Sequence, residues 1–159
     1  MERSAFYTAT GGFDTHATVD ISGLMTDLND ALEVFTKEMK GQGLWNDVTV
    51  VVASEFGRTL SSNAQGADHG WGGNYFVLGG DVNGKQMLGK YPSRLAEFES
   101  ELNLRRGIFL PTTPWEAVWS PIAQWLGVKD EQLDEILPNM KNFPSETIFS
   151  KEQLFGDST

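Results

Sequence analysis

The chain has 159 residues, 40% of them hydrophobic, which is enough for one compact domain, or a piece of a larger one, with a real core. Acidic residues outnumber basic ones 22 to 12 for a formal charge of -10, so the positive footprint of a nucleic-acid or anionic-membrane binder is missing while metal cations stay welcome. The absence of cysteine excludes thiolate chemistry, thiolate zinc sites and disulfides, and no apolar run approaches the ~18 residues of a membrane span or the core of a secretory signal.

In chain order, SAFYTAT at residues 4–10 has the aromatic and β-branched content of a short strand, ended by Gly11 and Gly12. From Asp20 the period changes. Ile21, Leu24, Met25, Leu28, Ala31, Leu32, Phe35 and Met39 recur at three- and four-residue steps and predict an amphipathic helix closed by Gly41 and Gly43. Val48 to Ala53 is apolar and β-branched apart from Thr49, which fits a strand covered on both faces; strand, helix and strand together predict a right-handed crossover with a parallel pair.

Tyr75 to Leu78 reads as another short buried strand, and Asp81 to Gly89, with Asn83-Gly84, as a turn or exposed hairpin. Residues 93–107 fit a short surface helix and an ordered loop equally well, and Ile108 to Leu110 a strand or strand end before Pro111. Thr113, Pro114 and Glu116 have the spacing of an N-cap, first helical position and capping box, for a helix running to Leu126 with a kink at Pro121. Asp130 to Leu137 predicts a second helix ended by Pro138, and Ser150 to Gln153 another capping box.

Both histidines lie beside carboxylates in glycine-bearing loops that follow extended segments. Asp14 and His16, two apart, would face the same side of an extended backbone and could share one ion, although each is also an ordinary loop residue. Glu55 directly follows the apolar strand, where a rigid element would hold a carboxylate ready for a cation. Arg58 offers a planar fork for phosphate, sulfate or carboxylate, unless it pairs with Glu55 across one turn.

Asp68 and His69 are adjacent, so in a regular strand they would diverge. His69 is the preferred ligand; the alternatives make Asp68 a loop cap and His69 an imidazole near Trp71. Of the five tryptophans, Trp115, Trp119 and Trp125 suit core or interface contacts, and only Trp71 sits where ligand stacking competes. Ser54 and Thr59 have no local histidine placed as their base and are not proposed as nucleophiles.

GGFDTH, the amphipathic helix, VVVASEFGRT, GADHGWGGNYFVLGG and RGIFLPTTPWEAVWSPIAQWLGV, in that order, resemble the carboxyl-terminal half of the bacterial domain-of-unknown-function family 1501. That family is similar to alkaline phosphatases and sulfatases. The resemblance implies an α/β fold, a parallel-sheet core flanked by helices, with one or two divalent cations (zinc, calcium or manganese) at the carboxyl ends of strands. It implies metal ligands at Asp14, His16, Glu55 and His69, an anion clamp at Arg58, and an anionic small-molecule or polymer ester as substrate. Phe56 stands where phosphatases commonly carry a second-site histidine, which counts against a full pair of zinc sites. The nucleophile, a neighbouring acidic ligand and often an export signal would belong to the amino-terminal half of the parent protein.

The expectation is therefore part of a metal-dependent hydrolase of phosphate or sulfate esters, as a single α/β domain. The alternative is a non-catalytic binding or scaffold protein that keeps the hydrolase fold. A partial sheet would leave an open edge and apolar surface that drive self-association.

Overall fold

The computed structural model describes residues 3–18, 20–96 and 98–156. The first long element is α1 (Ser22–Gly41), entered through Asp20, whose carboxylate accepts from the Ser22 hydroxyl at 2.5 Å and the Ser22 N–H at 3.0 Å. Gly43, at φ +71°, lets the chain leave the helix where a side chain would be strained. The apolar stripe is as expected, but no α1 residue is buried; Met25, Val34 and Phe35 are exposed.

A short 3₁₀ turn (Trp45–Asp47) leads into β1 (Thr49–Val52), which pairs antiparallel with β4 (Phe76–Gly79) in the register Thr49↔Gly79 to Val52↔Phe76. The strands expected around residues 48–53 and 75–78 both exist. Their partners differ from expectation: among the described residues every strand pair is antiparallel, and residues 4–10 form no strand. The amino-terminal segment has no ladder to join, and its Phe6 and Tyr7 are 95% and 93% exposed. β1 is half-buried throughout rather than covered on both faces, because among the described residues only β4 flanks it.

Between β1 and β4 the chain makes an excursion read from the sequence only as loops. β2 (Arg58–Ser62) and β3 (Ala67–His69) pair antiparallel with an irregular register, Arg58↔His69 and Ser62↔Ala67, around a turn in which Asn63 Oδ1 accepts from the N–H groups of Gln65 and Gly66. Residues 81–89 form turns without a hairpin. The described part of 93–107 is ordered loop rather than helix, ending in three consecutive positive φ angles at Arg105, Arg106 and Gly107. That loop docks on the hairpin through a Leu60 N–H to Gly107 O bond of 3.0 Å. The expected strand at 108–110 is reduced to an isolated bridge, Asn103↔Phe109.

The buried core lies in the last third of the chain. α2 (Glu116–Trp125), α3 (Asp130–Ile136) and α4 (Lys151–Phe155) enclose Ala117, Pro121, Ile122, Leu133 and Leu154. α2 opens without the expected Thr113 cap. Trp115 is already helical in backbone and occupies the cap position, so the Thr113 box is not formed. Pro121 sits inside a continuous α2 and is fully buried, and packing offsets its missing donor. The capping box at α4 forms as read, with Gln153 N–H donating to Ser150 Oγ at 3.2 Å and Ser150 N–H to Gln153 Oε1 at 2.8 Å. Trp125 stacks on Phe155 as a packing residue, while Trp115 remains 47% exposed.

Candidate metal centre

The site is built where the loop at 11–16 meets the β2–β3 hairpin. Ala67 N–H donates to Thr15 O at 3.2 Å, so the loop runs along the edge of β3. Gly66 makes that approach possible: a Cβ there would lie 2.0 Å from Thr15 O and 2.8 Å from the carbonyl of His16. At the other end of the hairpin, a Cβ on Gly57 would lie 1.9 Å from Gly72 O, and the Gly57 and Gly70 N–H groups donate to Trp71 O and Gly57 O. The glycines of SEFGRT and DHGWGGN thus let two backbones lie against each other.

This docking brings together three side chains from two distant stretches. His16 Nε2 lies 3.1 Å from Asp14 Oδ1 and 3.1 Å from His69 Nε2, and His69 Nε2 lies 3.0 Å from Asp14 Oδ1. Three donor atoms therefore form a nearly equilateral triangle. Ligand atoms bound tetrahedrally to zinc at ~2.0–2.1 Å are ~3.3 Å apart, within a few tenths of these edges. Asp14, His16 and His69 are all exposed, so the triangle is open to solvent on one side.

Hydrogen bonds orient the His16 ring and the Asp14 carboxylate. Asp68 Oδ1 lies 3.1 Å from His16 Nδ1, and an ionised carboxylate can only accept, so Nδ1 carries a proton and the lone pair of a neutral ring would lie at Nε2. That lone pair faces the carboxylate of Asp14, which is itself held ionised. The hydrogen bond from Arg58, then that from His69, lowers the Asp14 pKa to about 2.

Arg58 is placed differently from an anion clamp. Its Nη1 donates to Ala67 O at 2.8 Å, and its Nη2 donates to Phe13 O at 2.8 Å and Asp14 Oδ1 at 2.9 Å. With the side chain 24% exposed, the guanidinium is turned into the protein, tying the loop to β3 and fixing Asp14. The alternative of a local pair with Glu55 gives way to these acceptors.

Glu55 lies outside the triangle, exposed at the end of β1, and accepts from Ser54 Oγ at 3.0 Å. Its own backbone N–H, then Ser54, and then the charges of His69 and Arg58 lower its pKa, so it is near the site electrostatically without joining it. Phe56 stacks on His69 at 4.2 Å between ring centroids and walls that side of the imidazole, the place considered for Trp71. Ser54 is bonded to Glu55, and the buried Thr59 donates to Ser61 O and accepts from Asp68 N–H.

The residues that sequence reasoning missed stand behind His16. Asn63 Nδ2 donates to Asp68 Oδ1 at 3.1 Å and to His16 O at 3.1 Å, and Arg106 Nη2 meets Asp68 Oδ2 at 2.5 Å. Nothing local to residue 63 or residue 106 signals either role, since both are set by contacts with Asp68.

A family model described as a protein of unknown function, DUF1501, matches residues 4–102, a span that contains the whole triangle, Asn63 and Asp68 but not Arg106 or the helical core. No curated protein and no solved structure matches the chain.

Proposed function

The chain belongs to the DUF1501 family, and from that premise we propose that it carries the metal centre of a hydrolase of phosphate or sulfate esters. In this reading the chain is part of a larger α/β, alkaline-phosphatase-like domain whose parallel sheet it completes only in part. The observation that carries the reading is the triangle of Asp14 Oδ1, His16 Nε2 and His69 Nε2, with edges of 3.0–3.1 Å. Asp14, His16 and His69 would hold one divalent ion. Two imidazoles and one carboxylate suit zinc, and manganese next; calcium, which takes six to eight oxygens, is the poorest of the three.

When bound, such an ion supplies Lewis acidity toward an ester oxygen and lowers the pKa of a water molecule. The chain's own residues do the positioning. Arg58 keeps Asp14 ionised and aimed, Phe56 fixes the plane of the His69 ring, and the open face leaves room for an anionic ester. The test is turnover of aryl phosphates and aryl sulfates by zinc-loaded protein carrying this chain at its full natural length. The expected result is turnover in the wild type and its loss in His69→Ala.

A non-catalytic binding or scaffold role is the second reading. It is favoured by Phe56 filling the neighbourhood of His69, and by the Ser54 and Thr59 hydroxyls being bonded elsewhere. Unaltered zinc binding with no turnover of either ester class selects it over the hydrolase.

A further inference from the structure

We infer that Asp68 is a positioning residue that locks His16 as its Nδ1–H tautomer and so aims a bare Nε2 at the triangle, with Asn63 and Arg106 holding Asp68 in place. The inference deepens the metal-centre reading and rests on it for its effect on metal affinity; its geometry stands without it.

His16 straddles the end of β3. Consecutive strand residues face opposite sides, so Asp68 and His69 cannot both approach one atom from a regular strand. The imidazole resolves this by using both nitrogens. Nδ1 meets Asp68 Oδ1 at 3.1 Å, while Nε2 meets His69 Nε2 at 3.1 Å. One ring is thereby gripped by two adjacent residues, and its orientation follows from the pair.

Asp68 is itself held at both carboxylate oxygens and at its backbone N–H. Oδ1 accepts from Asn63 Nδ2 as well as from His16, Oδ2 accepts from Arg106, and the Asp68 N–H donates to Thr59 Oγ1 at 3.1 Å. Its side chain is 31% exposed against 68% for Asp14, as befits a carboxylate set behind the site rather than in it. Asn63 also donates to the His16 carbonyl, so one amide ties the backbone of His16 and the carboxylate behind its ring. A carboxylate accepting from the far nitrogen of a ligand histidine fixes the tautomer and raises the basicity of the ligating nitrogen.

The test is nitrogen-15 NMR of the two imidazoles in metal-free protein at mildly alkaline pH, followed by competitive zinc titration, on wild type and Asp68→Ala. The expected spectrum places the His16 proton on Nδ1 in the wild type and redistributes it toward Nε2 in Asp68→Ala, with His69 resonances little changed. Zinc affinity should fall ~10- to 100-fold in the variant. A wild-type His16 protonated at Nε2, or a tautomer indifferent to Asp68→Ala, overturns the inference. If the variant fails to fold, the wild-type spectrum decides alone. Failure of the wild type to bind zinc overturns the metal-centre reading instead, and is distinguishable because the tautomer is read without metal.

Discussion

Asp14, His16 and His69 were identifiable because histidine is rare in this chain and both copies sit beside carboxylates. What residue types could not convey was division of labour. By residue type Arg58 suits an anion clamp and Asp68 a loop cap; the structure uses the first to fix Asp14 and the second to hold His16. Such roles depend on which backbone carbonyls and side chains lie opposite, and those partners are up to 52 positions away. Gly66 has the sharpest consequence at this scale. Its missing Cβ is replaced by backbone of residues 15 and 16, which cannot swing aside as a side-chain tip can. Gly66→Ala should therefore push the Asp14–His16 loop off β3 and lower zinc affinity by at least ~10-fold. Gly11→Ala, with nothing within 4 Å, should leave it unchanged. Equal affinities in competitive zinc titration of the two variants would show that the loop is not docked as described.

Among the elements, those defined by local pattern were legible. The stripe of α1, the apolar β1 and β4, and the reciprocal Ser150–Gln153 cap of α4 all follow from neighbours within a few residues. The β2–β3 hairpin was missed because its pattern is inverted. Thr59 is the buried residue of β2 while Leu60 is 60% exposed, so alternation of hydrophobicity gives no strand signal. Residues 4–10 failed in the opposite sense, with strand composition but no ladder to complete. At α2, Thr113 and Glu116 had the right spacing, yet the helix starts two residues later, with Trp115 at the cap position and its indole packed edge-on to Tyr75 at 5.2 Å. Strand pairing is the part that local sequence conveys least, because antiparallel and parallel neighbours can demand the same apolar residues.

The molecule as a whole exposes 11498 Å², whereas the scaling for compact monomers of this mass gives about 7900 Å². The excess includes large apolar side chains on several elements: Phe6 and Tyr7 before α1, Val34 on it, Phe76 on β4, and Phe98 in the far loop. Apolar surface on this scale associates in water. Light scattering across a concentration series should show self-association despite the charge of -10; a monomer at every concentration would contradict the idea of a partly uncovered sheet. The proposed metal centre is independent of that outcome, since the three side chains that would hold the ion and their supports all come from one chain. Calorimetric titration of zinc into wild type, His16→Ala and His69→Ala addresses it most directly. Saturable binding of one ion per chain is expected in the wild type and none in either variant; no binding in the wild type, or three superimposable isotherms, would contradict a metal centre at this triangle.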